Sequence, residues 1–138
     1  MNYKYHNKKC VYKGLEFDSR KERDRYIYLE SRWKKGEITN LERQKEFVVL
    51  PKITKTVAIQ LKTKVKYVER VDEQETKYHC DFYYYDVKER KFIVEEVKSE
   101  ATRKVRDYSM RRKLLKLHIM KLNQEAGTEL FRFNEIIM

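Results

Sequence analysis

The segment Tyr78-His79-Cys80-Asp81-Phe82-Tyr83-Tyr84-Tyr85-Asp86-Val87-Lys88-Glu89-Arg90-Lys91-Phe92-Ile93-Val94-Glu95-Glu96-Val97-Lys98 contains two runs, 78–85 and 92–98, rich in aromatic and β-branched residues. A short charged segment, 86–91, separates them. This is a hairpin pattern, although without the Asn-Gly or Asp-Gly that marks the tightest turns. A symmetric antiparallel register about the Lys88–Glu89 midpoint pairs Asp86 with Lys91 and Asp81 with Glu96. Directly opposed side chains sit about 5 Å apart at Cβ, so like charges placed there repel. Burying two such carboxylates requires a proton, a cationic side chain or a metal ion beside them. Lys98 follows Glu96 by two residues and therefore projects from the same face. Two acids and a lysine on one face are the parts of a divalent-metal site with a charged helper.

The acid-any-lysine tripeptide alone carries little weight, because 40% of the residues are charged and the pattern recurs at Glu75-Thr76-Lys77, Asp86-Val87-Lys88 and Glu89-Arg90-Lys91. Only Glu96-Val97-Lys98 ends an apolar run, Phe92-Ile93-Val94, and only it has an aspartate opposite. The others lie in polar turns, where solvated charge is the simpler account.

With 138 residues the chain is expected to form one domain, 1–138. Its formal charge of +11 points to a polyanionic partner, most simply nucleic acid. No apolar run approaches membrane-spanning length, and no signal-peptide core follows Met1, so a cytoplasmic protein with no membrane partner is expected. Two cysteines, Cys10 and Cys80, make no disulfide scaffold. Three glycines and one proline leave no linker or repeat.

Working outward, Asp18-Ser19 followed by Glu22 is a capping-box signature with Ser19 as N-cap, and Gly36 is placed to end that helix. Tyr26, Leu29 and Trp33 recur at helical spacing and are expected to face inward. Glu22 lies on the same stripe, where it is either the capping-box acid or a third carboxylate of the site. A strand is expected to end in Phe47-Val48-Val49-Leu50, with Gln44 either facing the site or solvated. From Ile59 to Tyr67 the alternation predicts one half-buried strand, with Ile59, Leu61, Val65 and Tyr67 inside and a lysine row outside. That row is either a solvated edge or a phosphate contact. Asp72-Glu73-Gln74-Glu75 is expected to turn the chain into the central hairpin.

After Lys98 the spacing predicts one long helix, about Ala101 to Asn123, with Val105, Tyr108, Leu115, Ile119 and Leu122 inward. Arg103, Lys104, Arg106, Arg111, Arg112, Lys113 and Lys116 crowd its remaining surface, either as phosphate contacts or as an ordinary solvated face. Gly127 should end it, and Leu130-Phe131-Arg132-Phe133 reads as a last strand. The predicted order is α-β-β-β-β-α-β, an α/β or α+β mixed sheet flanked by helices. His6, Cys10, His79 and Cys80 lack zinc-ligand spacing, and no phosphate-binding glycine loop or serine nucleophile elbow is present.

Asp81, then Glu96-Val97-Lys98 on the following strand, after a helix bearing Glu22, resembles the PD-(D/E)XK nuclease superfamily. The ordered set Phe17-Asp18-Ser19 with Glu22, Gly36-Glu37-Ile38, Asn40-Leu41, Gln44, Asp81-Phe82 and Glu95-Glu96-Val97-Lys98 resembles a small phage-encoded branch of it, related to Holliday junction resolvases. The resemblance spans about Gly14 to Leu115. It departs at Cys80, where proline or alanine is expected, and at Ser99, where glycine is common. It implies a restriction-endonuclease-like core and a metal-dependent endodeoxyribonuclease acting on branched DNA in the cytoplasm of a host cell. Asp81, Glu96, the Val97 carbonyl and Glu22 would hold Mg²⁺ or Mn²⁺, and Lys98 would stabilise the developing charge. Arg111, Arg112, Lys113, Lys116 and Gln44 would meet the DNA, and symmetrical junction cutting would call for a homodimer. The reading of another class is a catalytically inactive protein that keeps the fold and binds nucleic acid or a partner. Retention of the costly acid-acid-lysine cluster favours the enzyme.

Overall fold

The structure, a computed structural model, describes residues 9–103 and 105–138. His6 and Lys104 lie outside the described residues. The chain opens with a hairpin, β1 (Cys10–Tyr12) and β2 (Leu15–Phe17), before helix α1 (Arg20–Lys34). Strands β3 (Ile38–Arg43), β4 (Glu46–Leu50), β5 (Ile53–Gln60), β6 (Val65–Glu73) and β7 (Thr76–His79) lead to the central pair β8 (Phe82–Asp86) and β9 (Lys91–Lys98). Helices α2 (Glu100–Arg103) and α3 (Arg106–Ala126) precede the last strand, β10 (Phe131–Ile137).

The expected mixed α+β class is what the chain adopts. A four-stranded sheet in the order β10-β9-β8-β3 carries the architecture, parallel between β10 and β9 and antiparallel elsewhere. The helices divide between its two faces. On the α1 face, Phe17, Leu29, Ile38, Phe82, Tyr84, Ile93 and Val97 form one core. On the α3 face, Phe47, Tyr78, Cys80, Val94, Leu115 and Ile119 form the other. Buried on both faces, β9 therefore reads as a nearly continuous buried run, with period-2 alternation deciding which core each residue joins.

The central register matches the expected numbering, running from Phe82↔Glu95 to Asp86↔Lys91. Asp81 lies one residue before this ladder, and its N–H donates to the Glu95 carbonyl at 3.1 Å. Helix α1 begins as expected, with the Ser19 side chain accepting from the Glu22 N–H. Gly36 supplies the left-handed residue, φ +76°, just past its C-cap Lys35.

Four expectations need correction. Trp33 is 43% exposed rather than inward, because the last turn of α1 lies beside β3, the edge strand of the sheet. The segment 59–67 is not one strand but the tip of a hairpin, with the Leu61 N–H donating to the Lys64 carbonyl at 2.8 Å. Alternation persists straight through a turn that lacks Gly, Pro and Asn, so the periodicity concealed the reversal; Tyr67 is consequently exposed. Strand β6 then continues to Glu73, leaving only 74–75 for the turn placed at 72–75. The helix expected over 101–123 is two helices, broken where extended Val105 precedes α3, and Val105 is exposed. The β1–β2 hairpin was not expected, although Gly14 marks it: Lys13 and Gly14 both have positive φ, as a two-residue type I′ turn requires.

Candidate active site

The site forms where β7 hands over to β8. Strand β7 pairs with β4 and β8 pairs with β3, so residues 80–81 cross from one ladder to the other. The Cys80 N–H donates to the Lys45 carbonyl at 3.0 Å, and the Gln44 N–H donates to the Asp81 carbonyl at 3.2 Å. These bonds fix the crossing and leave the Asp81 carboxylate turned toward β9. Its Oδ2 accepts from the Val97 N–H at 2.8 Å. In an extended strand, the N–H and C=O of one residue point to the same side. The Val97 carbonyl is therefore directed toward Asp81 as well, beyond the end of the β8 ladder.

Asp81 and Glu96 are both buried, and both line a polar cleft of about 180 Å³ with Glu22, Gln44, Tyr78, Lys98, Tyr108 and Arg111. The Lys98 ammonium lies 2.8 Å from Glu96 Oε1 and 5.2 Å from the centroid of the Tyr108 ring. Glu96 Oε2 is buried with no hydrogen-bond partner among the described residues, and the same is true of the Tyr78 hydroxyl. A second cleft of about 110 Å³, lined by Ser19, Lys21, Ser99 and Thr102, shares Glu22, Val97 and Lys98 with the first. All the expected acids and the lysine thus meet at one place. The Glu22 backbone N–H serves the Ser19 cap, while its side chain lines the acid cleft.

Electrostatics follow from this crowding. Burial, then the charges of Glu96 and Glu22, push the Asp81 carboxyl up to about 8, against the Val97 N–H and Lys98. Burial, and then Asp18, also raise Glu22, with Lys98 opposing. Burial works against the Lys98 charge, but Glu96, Asp81 and Glu22 hold its ammonium above the ordinary range. Asp81 and Glu22 are thus both held back from ionising, while Lys98 is held charged beside them.

A family model matches residues 2–135. The chain belongs to the DUF1064 family, described as proteins of unknown function. No curated protein and no solved structure matches it.

In this DUF1064 chain the basic residues of α3 do not act as one surface. Helical spacing of about 100° per residue puts Arg111 and Lys116 roughly 140° apart, on opposite flanks of the buried Tyr108–Leu115–Ile119 stripe. Arg111 lines the acid cleft and pairs with Asp107 at 3.3 Å. Arg112 is half-buried and bound to Glu135 at 2.8 Å, as is Arg103, so neither is a free cation. Lys113 is exposed, and Lys116 lies over the Phe133 ring on the far flank. Asp18, Tyr78, His79 and Tyr108 line the cleft without having been assigned to the site from the sequence. Tyr78 precedes Asp81 by three residues on a recognisable strand, a signal that could have been read; Tyr108 gave only a core-facing helical position.

Proposed function

We propose that this chain is a metal-dependent endodeoxyribonuclease of PD-(D/E)XK type, with Asp81, Glu96, Glu22 and Lys98 as its working groups. One observation carries the reading: a buried carboxylate pair beside a lysine, in which Glu96 Oε2 completes no hydrogen bond among the described residues. A buried anionic oxygen left unpaired is costly, and an ion or ordered water is the usual remedy.

The donor set is all oxygen, as hard divalent cations prefer. Among the described residues, no group of three or more His, Cys, Asp and Glu side chains forms a ready-made cage. Mg²⁺ and Mn²⁺ take one or two carboxylates directly and keep several waters and substrate oxygens, so one of the three acids would reach the ion through water. Asp81, Glu96, the Val97 carbonyl and Glu22 are the residues that would hold it. When bound, such an ion lowers the pKa of a water and offsets charge on the scissile phosphate.

The chain's own residues do the rest. The Val97 N–H fixes one Asp81 oxygen and so sets the direction of the other. Lys98, anchored on Glu96 and backed by the Tyr108 ring, presents its remaining ammonium protons to the attacking water and to charge growing on the phosphate. Arg111 at the cleft holds the adjacent backbone. Branched DNA is the proposed substrate, with a homodimer for paired cuts and the host cytoplasm as the place of action. No helix among the described residues is long and apolar enough to cross a membrane.

The test is nicking of supercoiled plasmid and of a four-way junction with Mg²⁺, comparing the wild type with Glu96→Gln. The wild type should cut only with the metal, and the variant should lose at least 100-fold. Undiminished cutting by Glu96→Gln would overturn the assignment.

A further inference from the structure

Strands β4 and β7 pair from Glu46↔His79 to Leu50↔Thr76, and β5 and β6 pair from Ile53↔Glu73 to Gln60↔Val65. They are successive ladders of one long hairpin, interrupted only at 51–52 and 74–75. Its base carries Tyr78 and His79, which line the acid cleft, and it runs directly into Asp81. Its outer part has no other strand beside it and no buried residue. Eight residues of β5 extend about 26 Å. An uncovered two-stranded ribbon is marginal by itself in water, so a chain that holds one out presents it to something.

The charge is graded along it. From Pro51 to Val68 there are five lysines and no acidic residue; the acids Glu69, Asp72 and Glu73 come only in the base half of β6. Lys55 is paired with Asp72 at 3.6 Å, whereas Lys62, Lys64 and Lys66 at the tip have no ion pair among the described residues. Lys55, Lys66 and Arg70 share one face with half-buried Val57, Ile59 and Val68, by the pairs Lys55↔Arg70, Val57↔Val68 and Ile59↔Lys66. The basic end therefore points away from the base and is free to meet phosphates.

We propose that this arm is a second DNA-binding element, which lies in a groove of duplex DNA and holds the flanking phosphates through Lys62, Lys64 and Lys66. The major groove, about 12 Å wide, admits a two-stranded ribbon. A single strand has no such groove, so the arm selects duplex flanks beside the site of cutting. The proposal deepens the nuclease reading by naming the duplex next to the cleft as part of the substrate, and it rests on that reading only for the cutting.

The experiment uses the full chain carrying Lys62→Gln, Lys64→Gln and Lys66→Gln together, with thermal melting to show that the fold is kept. Binding to a short linear duplex and to one of its single strands is titrated in Ca²⁺ over a range of salt, and cleavage in Mg²⁺ is followed at saturating DNA. The duplex affinity should fall by up to about eightfold per lost contact at 0.1 M salt, with the salt slope smaller by about 0.9 for each. The single-strand affinity should change much less. Equal losses on both DNAs would overturn the groove, and an unchanged duplex affinity and slope would leave the lysines as edge protection only. The nuclease reading fails separately: a wild type that binds duplex and never cuts leaves the arm standing, whereas a variant that binds unchanged while the wild type cuts sinks only the arm. A wild type that binds no duplex overturns both.

Discussion

Glu95 and Glu96 are consecutive residues of β9, both buried, yet they meet opposite surroundings. On the α1 face, Glu95 receives both Arg25 nitrogens, Nε and Nη2, and the Tyr84 hydroxyl at 2.7 Å. On the other face, Glu96 has Lys98 at one oxygen and, among the described residues, no completed hydrogen bond at the other. The same side chain at the same depth is therefore finished on one face and left incomplete on the other. A satisfied buried ion is architecture, because its partners are all supplied by the chain. An unsatisfied one next to a second acid is a place prepared for something from outside.

The largest effect expected from this contrast is on stability. Glu95→Gln keeps the shape but removes the charge that balances Arg25, whose guanidinium is largely buried. Breaking a buried pair by changing one partner typically costs about 3–5 kcal/mol. Chemical denaturation of Glu95→Gln and Glu96→Gln without metal should show the first strongly destabilised and the second not. Equal losses would erase the distinction between the two faces.

Lys98→Ala should affect the rate more than binding. Removing one preorganised electrostatic group costs roughly 100- to 1000-fold, about 3–4 kcal/mol, when the group acts in the transition state. Single-turnover cleavage at saturating Mg²⁺, beside a DNA titration in Ca²⁺, separates the roles. A parallel fall in affinity and rate would move Lys98 from catalysis into DNA binding.

Asp81 gives the contrast a pH signature. Its folded-state pKa, about 8, lies above the ordinary 3.8 because of burial and then Glu96 and Glu22. The fold thus favours the protonated acid. That contribution is complete below about pH 4 and is lost as the pH rises through 8, with a slope of at most about 1.4 kcal/mol per pH unit. Metal-free wild type should therefore melt lower at pH 8 than at pH 5. Asp81→Asn, whose amide oxygen can still accept from the Val97 N–H, should lose most of that slope and be the more stable protein at pH 8. An identical slope in the variant would mean that other groups set it.

How much of this was legible in the sequence depended on the range of the interaction. The Asp86–Lys91 register followed from counting about a loop midpoint, and the opposed faces of Glu95 and Glu96 followed from strand alternation alone. Ser19, Gly36 and Gly127 announced helix ends because caps are local chemistry. Arg112 could not be read, since its partner Glu135 lies across on β10 and only packing brings them together. The reversal at 61–64 was hidden because Lys62-Thr63-Lys64 continues the alternation that a strand would have. Tyr78 stood in the sequence only as one aromatic of the run 78–85; its ring is buried, and the position of its hydroxyl makes it part of the cleft.

That hydroxyl gives the finest form of the comparison, because each buried glutamate has its own tyrosine. Tyr84 donates to Glu95 at 2.7 Å, whereas the Tyr78 hydroxyl faces Glu96 and interacts with it without reaching full hydrogen-bond geometry. Both rings are buried, so Phe at either position preserves the packing and tests the hydroxyl alone. Tyr84→Phe removes a hydrogen bond to a charged group and should cost about 1.5–3 kcal/mol. Tyr78→Phe removes a donor that the metal-free fold leaves unsatisfied, so stability should be unchanged or should rise by up to about 1 kcal/mol. If the cleft is completed by Mg²⁺ and its waters, the Tyr78 hydroxyl gains a partner only then. The stabilisation that Mg²⁺ confers on the wild type should therefore be smaller in Tyr78→Phe and unaltered in Tyr84→Phe. Thermal melts of both variants with and without Mg²⁺ make the check. A loss in metal-free Tyr78→Phe as large as that in Tyr84→Phe would show that both hydroxyls are structural, and the face bearing Glu96 would then be as finished as the face bearing Glu95.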